Sequence, residues 1–238
     1  MIGVNPLKER KVKIPIDQIH ESWIPHIGFA LNSTRMKSIE DTLIVPELIN
    51  PQPEYIFRVL TMPLDEVRVV IVGQEPYPVS RACTGYCFSI PYRAATPYSL
   101  SVIIDELAIN YAHDITLGVT TEFDMTLSHW IEQGVFLLNR SLTCNRMETG
   151  SKHLPFWEEF TSLIVDTIAK RESNTVWMLW GEDAKTLQPI IERYRDNHVL
   201  TWSHPAAQRH GKEFIGCKHF NKTNEILERC NKIQIVWV

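Results

Sequence analysis

Four short runs of almost unbroken apolar residues stand out along the chain: "VRVVIVG" (67–73), "GVFLLN" (134–139), "TVWMLWG" (175–181) and "HVLTWSH" (198–204). Runs of this length, rich in Val, Leu, Ile and Trp, read as central parallel strands covered on both faces. Between and after them, apolar residues recur at three-to-four spacing. That period predicts helices over 99–112, just beyond Pro97, over 154–171, ending in Lys170 and Arg171, and over 221–231. A further helical pattern over 183–195 contains Pro189, which predicts a kink or break there. Strands alternating with helices predict an α/β fold, a three-layer α/β/α sandwich around a central four-stranded, mostly parallel sheet. With no repeat, low-complexity block or linker, residues 1–238 read as a single domain whose first 18 residues form a flexible N-terminal arm.

The polar residues that end each run change this picture from a fold to a site. The first run finishes in Gly73-Gln74-Glu75, followed by Pro76-Tyr77-Pro78; the second finishes in Asn139, the third in Gly181-Glu182 and the fourth in Ser203-His204-Pro205. In open parallel sheets, ligands bind beyond the carboxyl ends of the strands, so these residues are expected to converge. Asn139 presents an adjacent donor and acceptor suited to an imide or amide edge. His204 can donate to a developing oxyanion or act as a base near neutral pH. Glu75 can orient a water or offset a developing cation. Phe88, in "GYCFSI", offers a stacking face, and Tyr77, held between two prolines, a rigid wall.

Composition narrows the partners. A formal charge of −4 argues against a uniformly basic nucleic-acid binder, but binding responds to local potential. Locally, residues 203–222 gather Arg209, Lys212, Lys218 and Lys222 against only Glu213, and 138–153 add Arg140, Arg146 and Lys152. Basic loops beside a polar pocket suit a phosphate backbone outside and one base inside, the geometry of base flipping. Five scattered cysteines without a C-x-x-C pair point to reduced thiols and to neither a disulfide frame nor a zinc site. No apolar run reaches signal-peptide or membrane-spanning length, so an intracellular protein, cytoplasmic or nuclear and without membrane attachment, is expected. A phosphate-cradling glycine loop and a metal-binding carboxylate cluster are both missing, which disfavours a nucleotide-processing hydrolase.

In order along the chain, "GQEPYP", "GYCFSI", "TPYSLSVIIDEL", "GVFLLNRSLTC", "VWMLWGEDA" and "HPAAQRHGKEFIGCKHFNKTNEIL" resemble the motifs of the family 1 uracil-DNA glycosylases. The resemblance spans about residues 20–230. It implies a DNA-repair enzyme that flips uracil out of DNA and hydrolyses its N-glycosidic bond, leaving an abasic site for base excision repair, with no metal or cofactor. Carried over residue by residue, Glu75 and His204 would be catalytic. Gln74, Tyr77, Phe88 and Asn139 would bind uracil, with Tyr77 excluding the thymine methyl. Ser99, Gly181, Ala206, Gln208 and Arg209 would face DNA.

The chain departs from the family pattern at five positions in these motifs. Glu75 stands for Asp, placing the carboxylate one methylene, or ~1.5 Å, further out, where ~1 Å of misplacement can cost about 10²-fold in rate. Pro78 stands for His, Glu182 for the Ser of the Gly-Ser loop and Ala206 for a phosphate-contacting Ser. Gln208 falls where the family carries a Leu wedge, which predicts weaker base extrusion and less preference for duplex over single-stranded DNA. Pro78 and His204-Pro205-Ala206-Ala207 are similar to the poxviral branch, in which the glycosylase also serves a DNA polymerase. That similarity implies a viral or divergent member and a replication-protein partner, and it frames the rival reading of a DNA-binding replication adaptor. A monomer acting on uracil-containing DNA, single- or double-stranded, is otherwise expected.

Overall fold

The computed structural model describes residues 13–43, 48–79, 83–111, 123–148, 150 and 152–238. The four apolar runs form the strands β2 (Val69–Gly73), β3 (Val135–Asn139), β5 (Val176–Trp180) and β6 (His198–Trp202). They make one parallel sheet in the order β3-β2-β5-β6. Register pairs Gly73 with Asn139 and Trp180 with Trp202, so the carboxyl ends lie along one edge of the sheet. A separate two-residue antiparallel pair joins β1 (Ile49–Asn50) to β4 (Cys144–Asn145). It is too short to leave a periodic signal in the sequence.

Alternation along the strands divides the core in two. Val70, Val72, Phe136, Leu138, Trp177 and Leu179 face one layer, with α1 (Ile24–Leu31), α2 (Thr34–Thr42) and α5 (Leu154–Arg171). Val69, Ile71, Val135, Leu137, Val176 and Met178 face the other, with α3 (Tyr98–Asn110), α4 (Ser128–Ile131) and α8 (His219–Arg229). β2, β3 and β5 are therefore covered on both faces, as their continuous apolar runs require; β6, expected to be equally central, is an edge strand whose residues are all half-buried, and the predicted three-layer sandwich is the observed fold.

The pattern over 183–195 resolves into two one-turn pieces, α6 (Glu182–Lys185) and α7 (Gln188–Ile191). Pro189 lies in the first turn of α7, where its missing N–H breaks no intrahelical bond, so the chain interrupts before the proline and restarts with it. Residues 13–18 differ from the expected arm: Ile14 is in the core and its amide donates to Glu40 Oε1 at 3.1 Å. The rest of that expected arm, 1–12, lies outside the described residues. Among the described residues, no helix is long and apolar enough to cross a membrane.

Candidate active site

Beyond β2 the chain is fastened residue by residue. The Arg140 amide donates to Gly73 O and the Ser141 amide to Gln74 O, each at 2.9 Å. Cys144 Sγ donates to Pro76 O, Asn50 Nδ2 to Tyr77 O and the Met147 amide to Pro78 O. The segment Gln74–Pro78 is thus held by β1, β4 and the turns that follow β3 and β4, and Pro76 and Pro78 restrict what freedom remains. Glu75 is half-buried and its Oε1 accepts the Gly150 amide at 2.9 Å.

Gly73 makes a close approach possible. A Cβ built there would lie 2.8 Å from Asn139 Oδ1 and 2.8 Å from Cys87 Cβ, with Phe88 Cε2 at 3.5 Å. Only a glycine lets the side-chain amide of Asn139 and the ring of Phe88 approach the end of β2. Asn139 is 3% exposed at the end of β3. Phe88 has φ +61, a conformation uncommon for a bulky residue, and its ring lies 5.8 Å from that of His204 and 5.6 Å from that of Trp180. Tyr77 forms the adjoining wall: its hydroxyl donates to Phe88 O at 3.3 Å and shares a 3.0 Å hydrogen bond with Ser99 Oγ. Burial raises the Tyr77 phenol, which keeps it neutral.

His204 follows β6 and caps the short helical turn Pro205–His210: its Nδ1 accepts the Ala206 amide at 3.1 Å. That bond requires an unprotonated Nδ1, so the neutral ring carries its proton on Nε2. Burial lowers the His204 pKa and favours this neutral form. Gly181, at φ +95, lets the β5 end pass beneath the imidazole, since a Cβ there would lie 2.9 Å from His204 Cβ.

Gln74, Glu75, Tyr77, Phe88, Asn139, Gly181 and His204 thus gather where the carboxyl ends of four strands meet. The residues expected to face DNA divide. Arg209 is exposed and its guanidinium lies 3.8 Å from the Tyr98 ring centroid, bridging the His204 loop to the start of α3. Ala206 is half-buried and acts through its backbone. Ser99 is 7% exposed, with its hydroxyl turned inward onto Tyr77. Gln208 does not project: its Oε1 accepts the amides of Phe214 at 2.6 Å and Ile215 at 3.4 Å, bracing the loop from within. Glu182 faces solvent and pairs with Lys185 at 2.9 Å. Gly150 lies outside every motif quoted from the sequence, and although Gly73 and Glu106 fall inside two of them, their structural roles were not marked there.

The sequence pattern of the uracil DNA glycosylase superfamily matches residues 61–228, which run from before β2 to within α8. Uracil-DNA glycosylase of Acinetobacter baumannii (strain SDF) is 36% identical over 238 residues, covering 97% of this chain and 97% of the relative. Uracil-DNA glycosylase 1 of Bacteroides fragilis is 38% identical over 191 residues, covering 79% of this chain and 83% of the relative. The crystal structure of mimivirus uracil-DNA glycosylase superposes with a TM-score of 0.79 at 26% identity, covering 92% of this chain and 87% of that one. A family match over residues 61–228, and a relative 36% identical over nearly the whole length, leave one assignment: the chain belongs to the uracil-DNA glycosylase superfamily.

Proposed function

We propose that this chain works as a family 1 uracil-DNA glycosylase in which His204 stabilises the leaving base and Glu75 serves the incoming water. The observation that carries this reading is the Ala206 amide on His204 Nδ1, which commits the ring proton to Nε2. As the C1′–N1 bond breaks, its electron pair leaves with N1 and spreads onto O2 of the uracil anion. A neutral imidazole donating from Nε2 opposes that charge without giving up its proton. The deoxyribose gains oxocarbenium character; water adds at C1′ and its proton passes through solvent to the departed uracil anion, with the Glu75 carboxylate offsetting the cation and orienting the water.

Uracil enters by flipping, at a cost of a few kcal/mol in lost stacking. Phe88 stacks on the ring, Asn139 reads the O4/N3 edge and distinguishes uracil from cytosine, and Gln74 helps hold the base. Tyr77, backed by Ser99, crowds C5 against the thymine methyl. On the DNA side, Arg209 and the backbone around Gly181 and Ala206 meet phosphates. Because Gln208 is engaged inside its own loop, extrusion from duplex DNA lacks a wedge, and single-stranded substrate is preferred. All of these contacts come from one chain, so a monomer suffices. A replication protein as a further partner is carried by the resemblance of Pro78 and His204–Ala207 to the poxviral branch.

Alkali-induced cleavage of an oligonucleotide bearing one uracil, as single strand and as duplex beside a thymine control, tests the reading. Uracil substrates should be cut, the single strand faster, and thymine left intact. Asn139→Ala and His204→Ala should each lower turnover by about two orders of magnitude while the protein stays folded. No product from either uracil substrate at high enzyme concentration would overturn it.

A further inference from the structure

The carboxylate at position 75 is one methylene longer than the aspartate of the family motif, yet it is anchored. Its Oε1 accepts the Gly150 amide across 75 residues of sequence. Gly150 belongs to the loop between β4 and α5, and that loop is stitched by a directional chain of hydrogen bonds. The Trp157 indole N–H, which can only donate, gives to Thr143 Oγ1 at 2.7 Å. Thr143 Oγ1 meets His153 Nδ1 at 2.9 Å, His153 Nε2 meets Asn145 Oδ1 at 2.9 Å, and Asn145 Nδ2 donates to Glu148 Oε2 at 2.9 Å. Lys152 Nζ closes on the same Glu148 oxygen at 2.9 Å.

The proton directions follow from the ends of this chain. An ionised carboxylate only accepts, so Asn145 must offer its amide nitrogen to Glu148 and its oxygen to His153. His153 must then donate from Nε2 and accept at Nδ1 from the Thr143 hydroxyl. His153 is 7% exposed and burial lowers its pKa, in keeping with the neutral form this pattern needs. The loop also grips the segment that carries Glu75, through Cys144 Sγ on Pro76 O and the Met147 amide on Pro78 O. Gly150 has φ +110, with nothing within 4 Å of a built Cβ, so glycine is required there for backbone conformation and not for space.

We propose that the 144–153 loop is the positioning device that adapts this site to glutamate, with the Gly150 amide as its contact and His153 as its keystone. This rests on Glu75 being the carboxylate that serves the water. A glutamate has one more freely rotating bond than an aspartate, and fixing one of its oxygens removes that freedom before the substrate arrives. An aspartate at the same place would end ~1.5 Å short of the amide and would draw no benefit from the loop.

The test is a double-mutant cycle under single-turnover conditions on a single-stranded uracil oligonucleotide. His153→Ala and Gly150→Ala should each lower the rate about tenfold with little change in substrate affinity. In the Glu75→Asp background, the same changes should have less than about twofold further effect. Gly150→Ala alters no packing, so it keeps the test open if His153→Ala fails to fold. Independently of activity, the Gly150 amide proton, shifted downfield by its carboxylate partner in NMR spectra, should move upfield in Glu75→Asp. Wild-type rates in both folded variants, equal losses in both backgrounds, or an unmoved Gly150 resonance would overturn the proposal. Glu75→Gln separates the two levels: full activity in that variant would instead remove the catalytic role of Glu75 itself.

Discussion

At the end of β2 a single hydrogen atom in place of a methyl group decides how closely the strand ends approach. A methyl group at residue 73 would need space already taken by Asn139 Oδ1 and Cys87 Cβ, both at 2.8 Å. Neither neighbour can withdraw easily, because Asn139 and Cys87 are both buried. Gly73→Ala should therefore displace the Asn139 amide by several tenths of an ångström. We expect uracil excision to fall about tenfold or more and stability to drop by about 1–3 kcal/mol from overpacking. Excision kinetics and thermal melting read the two effects separately, and an unchanged rate would show that the Asn139 position tolerates the shift. The motif made the residues around Gly73 conspicuous, but the reason for the glycine is a close approach from β3 and from residue 87. That approach exists only once the sheet is assembled.

Among the elements, α3 links the two sides of the site. Near its start, Ser99 backs the Tyr77 hydroxyl; two turns further on, Glu106, fully buried, receives the amides of Gly216 and Lys218 and the Asn110 side chain. That carboxylate fixes the segment which Gln208 braces from its other end, so the His204 loop sits on a platform made by α3. Glu106→Ala would strand two backbone donors, at a cost of about 2–4 kcal/mol. Faster amide hydrogen exchange confined first to residues 214–218 would check it. Glu106→Gln retains one acceptor oxygen and should cost less. The periodicity announced α3 within two residues of each end, and Pro189 announced the break between α6 and α7. It gave no hint that Glu106 belongs on the buried face, because an acid inside a helical pattern is ordinarily a solvent-facing residue.

For the molecule as a whole, buried histidines set the acid limit. His153, His204 and His219 are all lowered by burial, His219 to about 4, and His219 Nδ1 also accepts the Trp180 indole N–H at 3.0 Å. Unfolded histidines take up protons near pH 6.5, whereas these three remain neutral in the fold to lower pH. The unfolded state therefore binds more protons below about pH 6.5, and stability falls as pH falls from there towards about 4. His219 alone accounts for a loss on the order of 3 kcal/mol across that window. Urea midpoints measured at pH 7.5 and pH 5 should show the decline, and His219→Gln should flatten it. An acid carboxylate such as Asp124, lowered to about 2 by hydrogen bonds from Ser128 and Thr126 that outweigh its burial, titrates only below this range.

The sequence by itself determined the sheet, the layers and the set of residues delivered to its carboxyl edge. These depend on local runs and on the order of motifs, and parallel pairing places every strand end on the same side. Only the tertiary structure decided how those residues are partnered. Ser99 turns onto Tyr77, Gly150 onto Glu75 and Gly216 onto Glu106, pairs separated by 22, 75 and 110 residues. Such partnerships follow from how loops and helices pack above a finished sheet, and neither periodicity nor motif spacing carries that information. The glutamate that looked like a departure in "GQEPYP" is, in the fold, a side chain long enough to reach the amide waiting for it.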